Sequence, residues 1–289
     1  SRPKRTSRKI RNIEPPLGRG SATKWGEIAA SGSPMSAMKA SNGSWTLVVS
    51  MLTARDQHAA TLLPDGRLLV TGGLNDSGVL NTCEIYNTQT GTWSYAAPMS
   101  SPRAAHTATL LPDGRVLVVG GYYNTDEKTS PSAEIYDPRR NTWQPTGAPL
   151  QPRQEHKAVL LADGRVMIAG GQVSGTTGVS NLSHVELYNY HTGAWQATDP
   201  LATKKIDFTL NLLPDGSALA AGGRGDGYYV ELERYDVASG LWTTVGSFPT
   251  SRAGHSATLT IDGRLLFAGG VTKSGDQSTY LDSVLIFDP

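Results

Sequence analysis

Two carboxylates stand at matching places in a short segment that occurs five times in the sequence. Each copy starts with a basic residue and ends three positions later with a histidine or a phenylalanine, and we call it the lead-in segment. The residue just before that end is Glu155 in the third copy, Asp207 in the fourth and Gln57 in the first. If the repeats are arranged around a central pore, these two carboxylates could lie together at its mouth. There they could exchange protons, bind a cation or hold a basic ligand. They could equally be solvated loop charges. The lead-in segments are residues 55–58, 103–106, 153–156, 205–208 and 252–255.

The first and last residues of the lead-in segment also repeat. The last one is a histidine in four copies and Phe208 in the remaining copy. A residue that phenylalanine can replace is expected to pack rather than to bind metal, so neither a metal site nor a cofactor is predicted. The basic residues could form a positive ring that attracts carboxylates or phosphates, although their repetition favours a structural role. The histidines are His58, His106, His156 and His255, and the basic residues are Arg55, Arg103, Arg153, Lys205 and Arg252.

The lead-in segments belong to a longer repeat whose spacing is nearly constant. Ten residues separate each unit's tryptophan from its basic residue, ten more lead to the aspartate of a turn, and eight lead from there to the second of two glycines. Length varies only between that glycine and the next tyrosine or phenylalanine, so a loop there is expected to differ between units. The second glycines are Gly73, Gly121, Gly171, Gly223 and Gly270, which gives unit lengths of 48, 50, 52 and 47 residues.

Alternating residues and turn signals predict four strands in each unit. In the second unit we expect strand a at residues 106–111, a Pro-Asp-Gly hairpin at 112–114 and strand b at 115–119. Strand c follows at residues 133–136, and strand d begins near Trp143. Four antiparallel strands of this length are typical of one blade of a β-propeller.

The two ends of the repeated region complement each other. The fifth unit stops after its third strand, and a tryptophan strand around Trp45 precedes the first unit. We therefore predict an all-β propeller of five four-stranded blades at residues 45–289, with a ring closed by the strand around Trp45 completing the C-terminal blade. Residues 1–28 are predicted to be a basic N-terminal arm, and residues 29–44 a linker.

These motifs carry a family resemblance. Arg-x-x-His, Asp-Gly-Arg, Gly-Gly, Glu-x-Tyr and Trp at fixed spacing resemble the kelch repeat, in the form seen in galactose-oxidase-like and bacterial kelch proteins. The resemblance implies a β-propeller that serves either in binding or in catalysis. The copper oxidase of that family needs a tyrosine just before the histidine, cross-linked to a cysteine. None of the five matching residues is a tyrosine here, and Cys83 lies on strand c, so that cofactor is not expected.

Strand direction predicts which face of the propeller carries function. The d-to-a connections and the variable b-to-c loops should open on one face, which holds peptides, sugars or copper in resembling proteins. The leading hypothesis is a non-catalytic module that binds a protein or a carbohydrate there. The alternatives are a fragment of a larger kelch protein or an enzyme with an acid or metal site at the pore mouth, namely a diverged hydrolase or isomerase or a galactose-oxidase-like oxidase. Loop candidates for ligand binding are Tyr122, Tyr123, Gln172, Arg224 and Tyr228.

Composition limits the other classes of partner. The 289 residues carry 26 basic and 25 acidic side chains, so the charge predicts no nucleic-acid partner. A single cysteine cannot form an internal disulfide. No apolar run is long enough to span a membrane. We expect a monomer, with a secreted or periplasmic location favoured over a cytoplasmic one.

Overall fold

Each repeat folds into one antiparallel sheet, because short runs of alternating residues are joined by tight turns. The computed structural model describes residues 48–175 and 178–289, and every regular element in these ranges is a β-strand. The sheets follow one another along the chain; the first four keep the order a, b, c, d, and the fifth has the order a, b, c within the described residues. The predicted all-β propeller with five blade sheets is confirmed. The predicted arm (1–28) and linker (29–44) lie outside the described residues.

The first three blades contain four main strands each, and the b-to-c loops of blades one and three form small hairpins. Blade one comprises β1 (Ala59–Leu62), β2 (Leu68–Thr71), hairpin strands β3 (Leu74–Asn75) and β4 (Gly78–Val79), β5 (Cys83–Asn87) and β6 (Thr92–Ala96). Blade two comprises β7 (Thr107–Leu110), β8 (Val116–Val119), β9 (Ala133–Asp137) and β10 (Thr142–Thr146). Blade three comprises β11 (Lys157–Leu160), β12 (Val166–Ala169), hairpin strands β13 (Gln172–Gly175) and β14 (Gly178–Asn181), β15 (Val185–Asn189) and β16 (Ala194–Thr198).

The last two blades differ from each other in strand number within the described residues. Blade four comprises β17 (Thr209–Leu212), β18 (Ala218–Ala221), β19 (Glu231–Asp236) and β20 (Leu241–Ser247). Blade five comprises β21 (Ser256–Leu259), β22 (Leu265–Ala268), hairpin strands β23 (Val271–Ser274) and β24 (Gln277–Tyr280), and β25 (Val284–Phe287). Its main sheet therefore has three strands in the described part of the chain.

Apolar clusters join consecutive blades. The cluster between blades one and two combines Leu69 and Ile85 of the first with Val116 and Val118 of the second, all of them buried. Equivalent clusters join blade two to three, three to four and four to five. Strand a of each blade also contacts strand a of the next, from β1 to β21. The blades therefore stack through one repeated apolar interface, which is the main source of stability in such a fold.

The paired glycines permit close packing between these blades. Gly121 has a φ of 84°, and a Cβ there would lie 2.5 Å from the carbonyl oxygen of Ala104 in its own lead-in segment. A Cβ on Gly120 would lie 2.2 Å from the carbonyl oxygen of Arg153 in the next lead-in segment. Any other residue would clash with backbone that cannot move independently, which agrees with the close approach expected from the sequence.

Within the described residues, the stacking stops at the outer side of blade five. Val284 and Ile286 are 57% and 55% exposed, although the matching Cys83 and Ile85 of blade one are buried. The strand predicted to close the ring is centred on Trp45, which lies outside the described residues. Ring closure by that strand therefore stays a prediction.

Candidate functional site

The five lead-in segments lie side by side at one end of the blades. The residue before the histidine has a left-handed backbone in each of them, and its φ lies between 52° and 65°. Glu155 donates its backbone N–H to the carbonyl oxygen of Ala105 at 3.0 Å, and Ala105 donates to that of Gln57 at the same distance. Gly254 donates to the carbonyl oxygen of Asp207 at 2.7 Å. These hydrogen bonds hold the predicted site positions of blades one, two and three next to one another, and likewise those of blades four and five.

The b-to-c loops flank this row of lead-in segments. Antiparallel bridges pair each lead-in segment with the loop of its own blade, as between Ile206 and Arg224. In blade four both backbone hydrogen bonds of that bridge are 2.9 Å long. The d-to-a connections and the b-to-c loops therefore open on the same face, as strand direction predicted, and we call it the loop face. The other bridges are Asp56–Leu74, Ala104–Tyr122, Gln154–Gln172 and Ala253–Val271.

Blade four places an oriented, exposed cation on the loop face. The Nε of Arg224 donates to Oδ2 of Asp207 at 2.7 Å. The Arg224 side chain is 44% exposed and the Asp207 side chain 24% exposed. Because the bond uses Nε, Asp207 fixes the direction of the guanidinium, and the side chain stays partly exposed. A guanidinium matches a carboxylate or another flat acceptor pair.

The loop candidates of the other blades are placed differently. Tyr122 is buried and donates its hydroxyl to Oε1 of Gln57 at 2.9 Å, so it ties blade two to blade one. Gln172 is also buried. Tyr123 is exposed, and Tyr228 is half-buried opposite Arg224 in the loop of blade four. The exposed candidates are therefore concentrated on blades two and four.

The two carboxylates of the acid-site hypothesis have unequal surroundings. Asp207 is engaged by Arg224, whereas Glu155 is half-buried in the neighbouring blade. Among residues 48–175 and 178–289, no group of three or more histidine, cysteine or acidic side chains is arranged to hold a metal ion. The one cysteine, Cys83, is buried, and burial raises the pKa of its thiol to about 12.

The repeated basic residues are buried inside the blades. Arg103 donates from Nη2 to Oε1 of Glu134 at 2.7 Å and from Nη1 to the carbonyl oxygens of Gly120 and Ser132. The other carboxylate oxygen of Glu134 accepts the backbone N–H of Ser100, which precedes the lead-in segment. The pair thus ties the d-to-a connection to strand c. Equivalent pairs are Arg55–Glu84, Arg153–Glu186 and Lys205–Glu233, all with buried side chains.

The glutamates that pair with these buried basic residues stabilise the blades, and the sequence analysis did not assign them a role. The signal was present, since the Glu-x-Tyr motif recurs in the four units that form these pairs. In blade five the glutamate position is Leu285, and Arg252 donates instead to the Ser283 hydroxyl at 3.0 Å and to the Gly269 carbonyl oxygen at 3.2 Å. Burial lowers the pKa of Arg252.

The repeated histidines join neighbouring blades. Nε2 of His106 lies 2.8 Å from the Thr71 hydroxyl of blade one, and Nε2 of His156 lies 2.8 Å from the Thr107 hydroxyl of blade two. Burial lowers the pKa of His106 and of His255 to about 3, so both rings are neutral at pH 7. These contacts agree with the packing role expected from the Phe208 replacement.

Comparisons with known proteins match this architecture. A family described as the KLHDC2/KLHL20/DRC7 kelch-repeats domain matches residues 105–289, and a kelch motif matches residues 58–100. A solved structure described as "Structure of YjhT" superposes with a TM-score of 0.68 at 19% identity, covering 86% of this chain and 89% of that one. At that identity the likeness shows the fold alone. A search of curated proteins finds no match. No helix within the described residues is long and apolar enough to cross a membrane.

Proposed function

The chain belongs to the kelch-repeat family, and we propose that it is a non-catalytic binding module whose loop face holds a protein or a carbohydrate ligand. A rigid stack of blades suits this role, because it orders the loops before the ligand arrives and so lowers the entropic cost of binding. Kelch domains serve many functions, so the fold alone does not identify the ligand.

The observation that supports this proposal most is the exposed guanidinium of Arg224. The matching loop positions in blades one, two, three and five are Leu74, Tyr122, Gln172 and Val271. None of these carries a charge, and Tyr122 and Gln172 are buried. Blade four alone puts a cation at this position, oriented through Nε by Asp207. A polar side chain that is held in place and still open to solvent is suited to binding a ligand rather than to stabilising the fold.

Aromatic side chains nearby supply the apolar part of a recognition surface. Tyr123 is exposed on the loop of blade two, and Tyr228 stands opposite Arg224 in blade four. Tyrosine and arginine are enriched in the energetically dominant contacts of protein interfaces, and tyrosine also stacks on sugars. The chemistry therefore fits either ligand class, and the experiment has an arm for each.

The proposal is tested by binding of the full chain to a glycan array and to a peptide array. The best ligand is then titrated by calorimetry against Arg224→Gln and Tyr123→Ala. We expect at least a tenfold loss of affinity for Arg224→Gln, since the charged hydrogen bonds are lost. The matched control is Arg67→Gln. Arg67 is also a partly exposed arginine bound to an aspartate, Asp65, at 2.7 Å, but it lies at the Pro-Asp-Gly turn, on the opposite face.

Two results contradict the proposal. Affinity that is unchanged in Arg224→Gln, or reduced equally in Arg67→Gln, would show that the loop face is not the binding face. A ligand that is consumed during the titration, and is no longer consumed by Glu155→Gln, would establish the enzyme alternative in place of the binding module.

A further inference from the structure

A cavity lies at the d-strand edge of blade three, where β15 begins and β16 ends on the loop face. We call it the blade-three cavity, and its volume is about 250 Å³. It is lined by Leu150 of the connection that enters the blade, by Val185 and Ala197 of these strands, and by Pro200 of the connection that leaves it. Small-molecule sites are usually larger, at about 300–1,000 Å³. The size therefore suits one large side chain.

Blade one has the same backbone frame at this place. In both blades the glutamate of strand c accepts two backbone N–H groups from the entering connection, and a leucine supplies the first of them. The residue opposite the glutamate on strand d is Tyr95 in blade one and Ala197 in blade three. Blade one thus has a large aromatic side chain where blade three has a methyl group. The glutamates and their donors are Glu84 with Leu52 and Thr53, and Glu186 with Leu150 and Gln151.

Tyr95 shows how an aromatic side chain lies in this frame. Its hydroxyl is 3.5 Å from the hydroxyl of Thr53 on the entering connection. Leu52 beside it is 47% exposed, whereas the matching Leu150 of blade three is 62% exposed. Tyr95 is itself 60% exposed, so the place is an open groove that a side chain can enter from outside. Blade three has the same groove without a tyrosine of its own.

The other two blades with a glutamate do not repeat this combination. Opposite the glutamate they carry Pro145 and Thr244, and the first N–H donor is Ser100 in blade two and Ala202 in blade four. Neither donor offers a large apolar side chain. Among the described blades, blade three therefore combines an exposed leucine with a small residue on strand d.

The carboxylate at the blade-three cavity is already engaged. Oε2 of Glu186 accepts the backbone N–H of Leu150 at 2.6 Å, and Oε1 accepts the N–H of Gln151 at 3.1 Å and a guanidinium hydrogen bond from Arg153. Glu186 thus belongs to the frame and is not available to a cationic ligand. A neutral group with a mainly apolar body can enter the cavity without needing a counter-charge.

We propose that the blade-three cavity binds a tyrosine side chain of a protein partner, in the place that Tyr95 takes in blade one. The ring lies against Leu150, Ala197 and Pro200, which bury its apolar body. Gln151 stands at the position of Thr53, and its amide can bond the phenolic hydroxyl. This inference rests on the proposed binding function, since it gives the loop face a second contact and makes the partner a protein.

The probe is 4-methylphenol, which is the tyrosine side chain alone. It is titrated into the full chain, and NMR follows the methyl groups of labelled leucine and alanine. Ala197→Tyr places in blade three the side chain that blade one already has. The matched control is Tyr95→Ala, which opens the equivalent place beside Leu52. Methyl α-glucopyranoside is the comparison probe for a sugar.

We expect 4-methylphenol to shift the methyl signals of Leu150 and Ala197 and to saturate at about millimolar concentration, as for a small weak ligand. Ala197→Tyr should weaken the effect on Leu150 at least tenfold, and Tyr95→Ala should add a new shift at Leu52. The glucoside should leave Leu150 unchanged. The proposal is overturned by no shift at Leu150, by a shift that survives Ala197→Tyr, by an equal shift with the glucoside, or by no gain at Leu52.

Stability checks that the added ring enters existing space. Ala197→Tyr should keep the Tm within about 2 °C of the unaltered chain, because the ring does not have to displace packed atoms. A Tm lowered by more than about 5 °C would show that the groove does not accept a ring, and this too would overturn the proposal.

Arg224→Gln separates this inference from the proposed function. It should leave the 4-methylphenol shifts unchanged, because Arg224 does not line the blade-three cavity. If the phenol binds as expected but Arg224→Gln does not weaken the array ligand, the proposed site on blade four is wrong and the cavity stands. If Arg224→Gln weakens the array ligand but the phenol does not bind, only the cavity proposal is wrong.

Discussion

Blades two and five come from the same repeat but differ in what surrounds them. Blade two has a blade on each side, four strands, and a buried ion pair between Arg103 and Glu134. Blade five keeps the cation as Arg252, carries Leu285 in place of the acid, and exposes its outer apolar side chains. Its strands nevertheless pair in the same register, with Ser256 opposite Ala268 as Thr107 is opposite Val119. The ion pair is therefore not needed to form the sheet.

The difference separates what builds a blade from what stabilises it. Glycines with positive φ, tight turns and alternating side chains are common to both blades, and these specify the backbone. The buried ion pair and a second neighbouring blade add to stability. Blade two has both, and blade five lacks both within the described residues. Exchanging the residues that differ should therefore change stability strongly in blade two and weakly in blade five.

The largest effect is expected when the acid of blade two is replaced by the residue of blade five. Glu134→Leu leaves the guanidinium of Arg103 buried without a counter-charge and removes the acceptor of the Ser100 N–H. Breaking one side of a buried pair costs about 3–5 kcal/mol of unfolding free energy. Equilibrium unfolding in urea measures this loss of unfolding free energy. The control is Arg252→Met, which removes a cation that already lacks an acid and should cost much less. Equal losses in the two variants would remove the distinction between the blades.

The reverse exchange should give blade five the coupling that blade two already has. Leu285→Glu places a carboxylate at the position opposite Arg252. A double-mutant cycle with Arg252→Met should yield a favourable coupling of about 2 kcal/mol, because contacting charges interact strongly when they are screened from water. The net effect of Leu285→Glu alone is smaller, since desolvation of the new charge offsets the attraction. A coupling near zero would mean that blade five does not bring these positions together.

Acid should weaken both blades alike through their histidines. His106 and His255 have a pKa of about 3 when folded and an ordinary value near 6.5 when unfolded. Their contribution to the unfolding free energy is therefore complete above about pH 6.5. As the pH falls from there towards 3, the unfolding free energy decreases by about 1.4 kcal/mol per pH unit for each ring. His106→Phe and His255→Phe should each flatten the pH dependence of the unfolding free energy, as measured between pH 6.5 and 4. Phe208 shows that the fold accepts this residue. If the slope of the unfolding free energy against pH is unchanged in these variants, the histidine rings are not buried in their neutral form.

The smallest effect concerns local opening. The backbone amides of β25 should exchange with deuterium faster than those of β9, because β9 is covered by d strand β10 and by neighbouring blades while Val284 and Ile286 are exposed. Hydrogen exchange read by mass spectrometry compares the two strands in one sample. Equal protection of β25 and β9 would indicate that blade five is covered as well as blade two.

The candidate site was predictable only in part. Recurrence at fixed spacing placed Gln57, Glu155 and Asp207 at one register, and the structure brings this register to one face. The bond between Asp207 and Arg224 was not predictable, since Arg224 lies on the loop whose length varies and no repeat fixes its partner. Likewise, the hydroxyl of the buried Tyr122 donates to Gln57, which belongs to the neighbouring blade, and no repeat spacing predicts that bond.

The sequence by itself determined the repeat, the strands, the turns and the face on which the loops open. These follow from local rules, because alternation, glycine and turn residues act over a few neighbouring positions. Only the tertiary structure decided which charges are buried in pairs, such as Arg103 with Glu134 across 31 residues of chain, and which stay open to solvent, such as Arg224. Such pairing depends on how far each group is removed from water, and that is a property of the stacked blades rather than of any one repeat.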